Sequence, residues 1–156
     1  MPFSQALQYL LAGLTTGSVY AIVGIGFNVI YNSTGIINFA QGEFVMLGGM
    51  IAITLQRLLP LPLAIAASAL ATGAAGVVLY LVFISWLKNP AALRMIIITI
   101  GLSILVREAA LHLWDEQVRA LPFFSGDETT SVALLGARLS PQVFWVVGIS
   151  ALMVAA

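Results

Sequence analysis

Residues 31–47, YNSTGIINFAQGEFVML, place a run of polar side chains inside an apolar chain. No charged residue precedes Glu43. The Asn-Ser-Thr run at 32–34 consists of residue types that favour helix N-caps, and Gly35 permits a turn. The stretch therefore predicts a helix break near residues 31–36, with a new helix after it that carries the first charge of the chain.

The composition identifies an integral membrane protein. Of the 156 residues, 61% are hydrophobic and only 8% are charged, which is too few to cover a water-facing surface. The formal net charge of zero predicts no nucleic-acid partner. The chain has no cysteine and one histidine, so we expect neither a metal site nor a bound cofactor.

Apolar segments of about 20 residues are long enough to cross a bilayer. The sequence predicts an all-α integral membrane protein with about five transmembrane helices, at Gln8–Ile30, Ile36–Leu55, Leu63–Leu87, Met95–Trp114 and Pro141–Ala156. The fifth segment stops within apolar sequence. We therefore expect residues 1–156 to be the N-terminal part of a single polytopic domain, truncated at the C-terminus.

The orientation is predicted from basic residues, which favour the cytoplasmic side. Lys88 and Arg94 follow the third segment without an acid nearby, whereas the polar loop 115–140 is acidic and is expected outside. The break near residues 31–43 then faces the cytoplasm. Arg107 and its acidic neighbour are expected at the outer membrane interface, not in an ion relay.

Glu43 has two interpretations. If the second helix begins at Ile36, Asn38 and Gln41 share one of its faces, and Glu43 lies on the side of Phe39. A charged carboxylate at the bilayer centre costs a few kcal/mol, so the group sits either at the interface or in a polar site. Broken helices form substrate sites in several transporters. Both interpretations remain open on the sequence alone.

Two stretches of the chain carry a family resemblance. A G-L-x-x-G-x-x-Y-A element starts at Gly13, and an I-x-x-x-x-G-x-I-N-F-A-Q-G-E element runs from Ile30 to Glu43. Residues 93–108, LRMIIITIGLSILVRE, hold a Thr-x-Gly-x-Ser pattern. Most of the chain resembles the N-terminal part of permease subunits of branched-chain amino acid ABC transporters. One departure is Gln41, where the family commonly has histidine, which argues against an obligatory protonation there.

The resemblance implies a multi-pass permease of the bacterial inner membrane that is a transport subunit and not an enzyme. Its implied partners are a second permease subunit, two cytoplasmic ATPase subunits, a periplasmic substrate-binding protein and membrane lipid. Consistent with ATP hydrolysis on partner chains, no G-x-x-x-x-G-K-[ST] phosphate loop is present. The alternatives are a urea or short-amide permease, or a non-transporting membrane scaffold fragment.

The candidate site residues fall into two groups, and none is catalytic or metal-binding. The residues expected along a substrate pathway are Thr34, Asn38, Phe39, Gln41 and Glu43. Those expected to shape the helix break or to pack helices together are Gly13, Gly17, Gly35, Gly42, Thr99, Gly101 and Ser103. A purely structural role for the first group is the alternative.

Overall fold

The computed structural model describes residues 3–87, 91–117, 119–121, 132–134 and 137–155. Apart from one short ribbon, these residues form helices: α1 (Phe3–Thr34), α2 (Gln41–Leu55), α3 (Leu61–Leu79), a π-helical turn (Tyr80–Ile84), α4 (Ala92–Trp114) and α5 (Gln142–Ala155). The ribbon pairs β1 (Val132–Leu134) antiparallel with β2 (Ala137–Leu139). The prediction of a helical membrane protein with about five helices is confirmed.

Three of the helices in the described residues are long and apolar enough to cross a membrane: Gln5–Thr34, Leu61–Ile84 and Ala92–Trp114. The other two, α2 and α5, are also apolar but shorter. With 15 residues, α2 is about 22 Å long and falls short of a bilayer core of about 30 Å. The helix is therefore shorter than the second segment predicted from the sequence, Ile36–Leu55.

The boundaries of the break differ from the prediction. Residues 32–34 form the last turn of α1 and do not cap a new helix, and α2 begins at Gln41 and not at Ile36. The break itself is therefore confirmed, but it occupies residues 35–40. The basic side chain of Lys88 and most of the 115–140 loop lie outside the described residues, and the orientation stays a prediction.

The chain divides into two compact units, and Ile30–Leu121 forms the larger one. Within it, α2 and α3 form an antiparallel hairpin, and small residues make up much of the surface between them. Ala52, Ala64 and Ser68 are buried there. A Cβ atom added to Gly48 would lie 3.3 Å from Thr72 Oγ1, so the two helix backbones approach closely at this point. Small residues at helix contacts are typical of membrane helices.

The helices α2 and α4 lie side by side and run in the same direction. Four hydrogen bonds join the two segments, and three of them link residues 60 positions apart: Phe39 to Thr99, Ser103 to Glu43, and Trp114 to Thr54. A constant separation in sequence along both segments shows that they run parallel to each other in a fixed register. Because α4 is longer, α2 runs beside only its second half.

The smaller unit combines Met1–Val29 with Pro122–Ala156. Here the Ser150 hydroxyl of α5 donates to the backbone oxygen of Ser18 in α1, at 3.2 Å. Gly13 and Gly17 line a groove between the same two helices. A Cβ atom at either glycine would meet nothing within 4 Å among the described residues, so their predicted role in close packing stays a prediction.

Candidate functional site

The site begins where α1 ends, at Thr34 and Gly35. The Thr34 hydroxyl donates to the Ile30 carbonyl at 2.8 Å, as hydroxyls do within a helix, and accepts from the Ile36 amide at 3.3 Å. Gly35 has φ +68°, a left-handed conformation that glycine adopts without a Cβ penalty. The chain therefore turns out of α1 at this glycine.

The non-helical segment 35–40 is held by two polar side chains. The Asn38 side-chain oxygen accepts from the Ala40 amide at 3.0 Å and shapes the entry into α2. The Thr99 hydroxyl of α4 accepts from the Phe39 amide at 3.3 Å and donates to the Ile96 carbonyl at 3.0 Å. Asn38 was expected on a face of the second helix, and that expectation is wrong because it precedes the helix.

The first turn of α2 carries an ion pair with α4. Arg107 donates to a carboxylate oxygen of Glu43, and the Ser103 hydroxyl donates to the same oxygen at 3.1 Å. Glu43 is only 8% exposed, whereas the Arg107 side chain is 61% exposed within this chain. We call Glu43, Ser103 and Arg107 the charged cluster.

The charged cluster is level with the middle of α4. Ser103 is the central residue of Ala92–Trp114, a helix about 35 Å long at 1.5 Å per residue. Each end of α4 is therefore about 16 Å away, close to half the thickness of a bilayer core. The parallel register then places Glu43 at the same level, so the helical framework favours the polar site over the interfacial position.

Arg107 has more hydrogen-bond donors than the cluster uses. One guanidinium nitrogen binds Glu43, and a guanidinium carries several further N–H groups with no acceptor of its own. In hydrocarbon, such groups pair with another charge or face a water-filled cavity. The exposed face of Arg107 therefore has to meet water, a partner subunit or a polar solute.

The other residues predicted for this region lie in the segment 35–40, in the first turn of α2 and in α4. Gln41 is buried in the first turn of α2, and Phe39 is half exposed. Gly42 and Gly101 have open space within 4 Å of an added Cβ in the described part of the chain, so their packing role also stays a prediction. Thr99 and Ser103 both bond across to the segment 39–43.

Sequence reasoning missed Arg107, which was placed at the interface. The structure pairs it with Glu43 instead. A signal was available, because each of the predicted segments Ile36–Leu55 and Met95–Trp114 contains an acid or a base that needs a partner in an apolar setting. The register between the two segments was the missing information.

Comparisons with known proteins consistently match permeases of branched-chain amino acid transport systems. Residues 9–156 match the family model described as the permease component of branched-chain amino acid transport systems. The chain is 39% identical over 126 residues to the high-affinity branched-chain amino acid transport system permease protein BraD of Pseudomonas aeruginosa. It is 42% identical over 50 residues to the corresponding permease protein LivH of Escherichia coli and of Salmonella typhimurium.

The coverage of these relatives is partial. The alignment with BraD covers 74% of this chain and 41% of BraD, and the alignment with LivH covers 32% of this chain and 16% of LivH. This chain thus spans less than half the length of the curated relatives that it matches. No solved structure matches it significantly.

Proposed function

The chain belongs to the family of permease components of branched-chain amino acid transport systems, and from that premise we propose that it builds part of the translocation pathway of an ABC importer. Its substrates are branched-chain or related hydrophobic amino acids. The chain provides the path through the bacterial inner membrane and the alternating access, and ATP is hydrolysed on partner chains. A second permease subunit, two cytoplasmic ATPases and a periplasmic binding protein complete the transporter.

The observation that carries the proposal is the charged cluster beside a broken helix at the level of the middle of α4. Interrupted backbone within a membrane is tolerated where protein buries it or where it lines a water-filled cavity. The segment 35–40 and the half-exposed Arg107 occur together at this level. A polar lining at mid-depth is what a zwitterionic solute needs in order to cross an apolar barrier.

The roles of the pathway residues follow from their contacts. Thr34 and Asn38 fix the broken segment, and Phe39 within that segment presents a half-exposed apolar ring. Glu43 keeps Arg107 at the lining and neutralises it, so that the pathway carries no net charge there. Gln41, an amide that does not titrate, adds dipoles without adding a protonation step.

The test is ATP-dependent leucine uptake into vesicles that contain the permease, its genomic partner permease, its ATPases and its binding protein. Leucine uptake is expected when all of these subunits assemble and ATP is supplied. The same vesicles without ATP are the control. Assembly of all subunits without uptake of leucine, isoleucine or valine would contradict the proposed substrate class.

Two outcomes point to the alternatives. Uptake of urea or a short amide in place of leucine identifies the other kind of solute permease. Failure of the chain to co-purify with any ATPase, in a preparation where it is folded, indicates a membrane scaffold and overturns the transport proposal.

A further inference from the structure

A cavity of about 250 Å³ lies within the Ile30–Leu121 unit, beside the broken segment. Branched and aromatic side chains form most of its wall, among them Ile30, Ile36, Leu79 and Leu102. Ligand pockets for drug-sized molecules usually measure about 300–1,000 Å³, so this cavity suits a smaller molecule. Its volume and lining favour a compact aliphatic group.

Polar side chains of the broken segment and of the residues that bond to it form part of the wall. Thr34, Asn38 and Thr99 all line the cavity. The Asn38 side-chain oxygen is used by the Ala40 amide, whereas its NH₂ group has no partner in the residues that the structure describes. An amide NH₂ group donates two hydrogen bonds and so fits a carboxylate. The cavity thus combines an apolar volume with the hydrogen-bond donor of Asn38 and has few other polar groups in its wall.

The wall of the cavity also includes residues of the π-helical turn. Tyr80 and Ile84 are its first and last residues, and both line the cavity. The Ser85 amide reaches back five residues to the Tyr80 carbonyl at 2.9 Å, the bond that defines this turn. Single π-helical turns are uncommon within helices and are found frequently at functional sites. The widened turn sets these two side chains against the cavity.

We propose that this cavity binds the aliphatic side chain of a branched-chain amino acid during its passage, with Asn38 donating to the substrate carboxylate. The proposal rests on the proposed transport function and deepens it. In this proposal the permease selects substrates by the size of their side chains, after the binding protein has already done so. Leu79, on the wall of the cavity, determines which side chains fit.

The test compares two leucines on the same helical segment. Leu79→Phe fills the cavity, while Leu81→Phe adds the same ring at an exposed position that does not line it. Uptake of leucine and of valine is measured in assembled transporters with the binding protein unchanged. An apolar pocket distinguishes substrates that differ by one methylene group by about tenfold or more. Leu79→Phe should therefore lower the ratio of leucine uptake to valine uptake roughly tenfold. Leu81→Phe should leave the ratio at the wild-type value.

A second variant covers the case in which Leu79→Phe does not assemble. Leu79→Ala enlarges the cavity and should raise uptake of the larger leucine relative to valine. An unchanged ratio in an assembled Leu79 variant overturns the inference and indicates a structural void or a lipid chain in the cavity. Lack of amino acid uptake by the wild type would instead contradict the proposed function, so the two failures are distinct.

Discussion

Removing the carboxylate of Glu43 should lower the free energy of unfolding, and the expected loss can be estimated from the two hydrogen bonds that this carboxylate accepts. Its oxygen accepts from Ser103 and from Arg107, and hydrogen bonds to charged groups contribute about 1.5–3 kcal/mol each, against about 1 for neutral ones. Glu43→Gln keeps an acceptor and loses only the charge, so we expect about 1–2 kcal/mol. Glu43→Ala removes both bonds from a side chain that is 8% exposed.

For Glu43→Ala we expect about 3 kcal/mol, the low end for disrupting a buried pair, because the guanidinium is largely exposed and partly screened. The measurement is the free energy of unfolding in mixtures of SDS and mild detergent. Glu108→Gln, on the exposed neighbour of Arg107, is the matched control and should have no effect. If both Glu43 variants unfold like Glu108→Gln, the reasoning on the cluster is refuted. Additive effects of Glu43→Gln and Arg107→Gln would likewise refute the pairing.

Three further predictions concern the framework of the site. Gly48→Leu should cost about 1–3 kcal/mol in the same unfolding assay because it forces α2 and α3 apart, and Gly49→Leu, with open space around it, should not. Gly35→Ala should cost about 1–2 kcal/mol from backbone strain alone, and Gly35→Asn clearly less; equal stabilities would contradict the left-handed turn. Thr99→Val should speed amide hydrogen exchange in the segment 35–40 by roughly fivefold, equivalent to about 1 kcal/mol, whereas Thr99→Ser should retain the wild-type rate.

The sequence was sufficient for the membrane class, the helix count and the existence of the break, because each depends on local composition. The exact bounds of the break were not predictable from residue types. Thr34 is a good N-cap residue, but its hydroxyl also bonds back to the Ile30 carbonyl, and the helix continues through it. The chain then extends six residues, 35–40, before α2 begins.

The charged cluster required information that one sequence does not hold. Glu43 and Arg107 are 64 residues apart, and only the register of α2 against α4 brings them together. The composition already indicated that each charge needed a partner. The hydroxyl pattern Thr99–Ser103 was interpreted as a site of helix packing. In the structure both hydroxyls bond across to the segment 39–43, and Thr99 also bonds back to the Ile96 carbonyl.

The most direct test of the account is the depth of α2 in a bilayer. The chain has no native cysteine, so single spin labels can be placed at the exposed residues Val45 and Leu105, with Leu93 and Leu58 as references. Electron paramagnetic resonance with oxygen and a water-soluble relaxant then gives each depth. Val45 and Leu105 should lie at equal depth, about 3 Å from the bilayer midplane, because Leu105 is two positions beyond Ser103. A Val45 label at headgroup depth would place Glu43 at the interface and contradict the account.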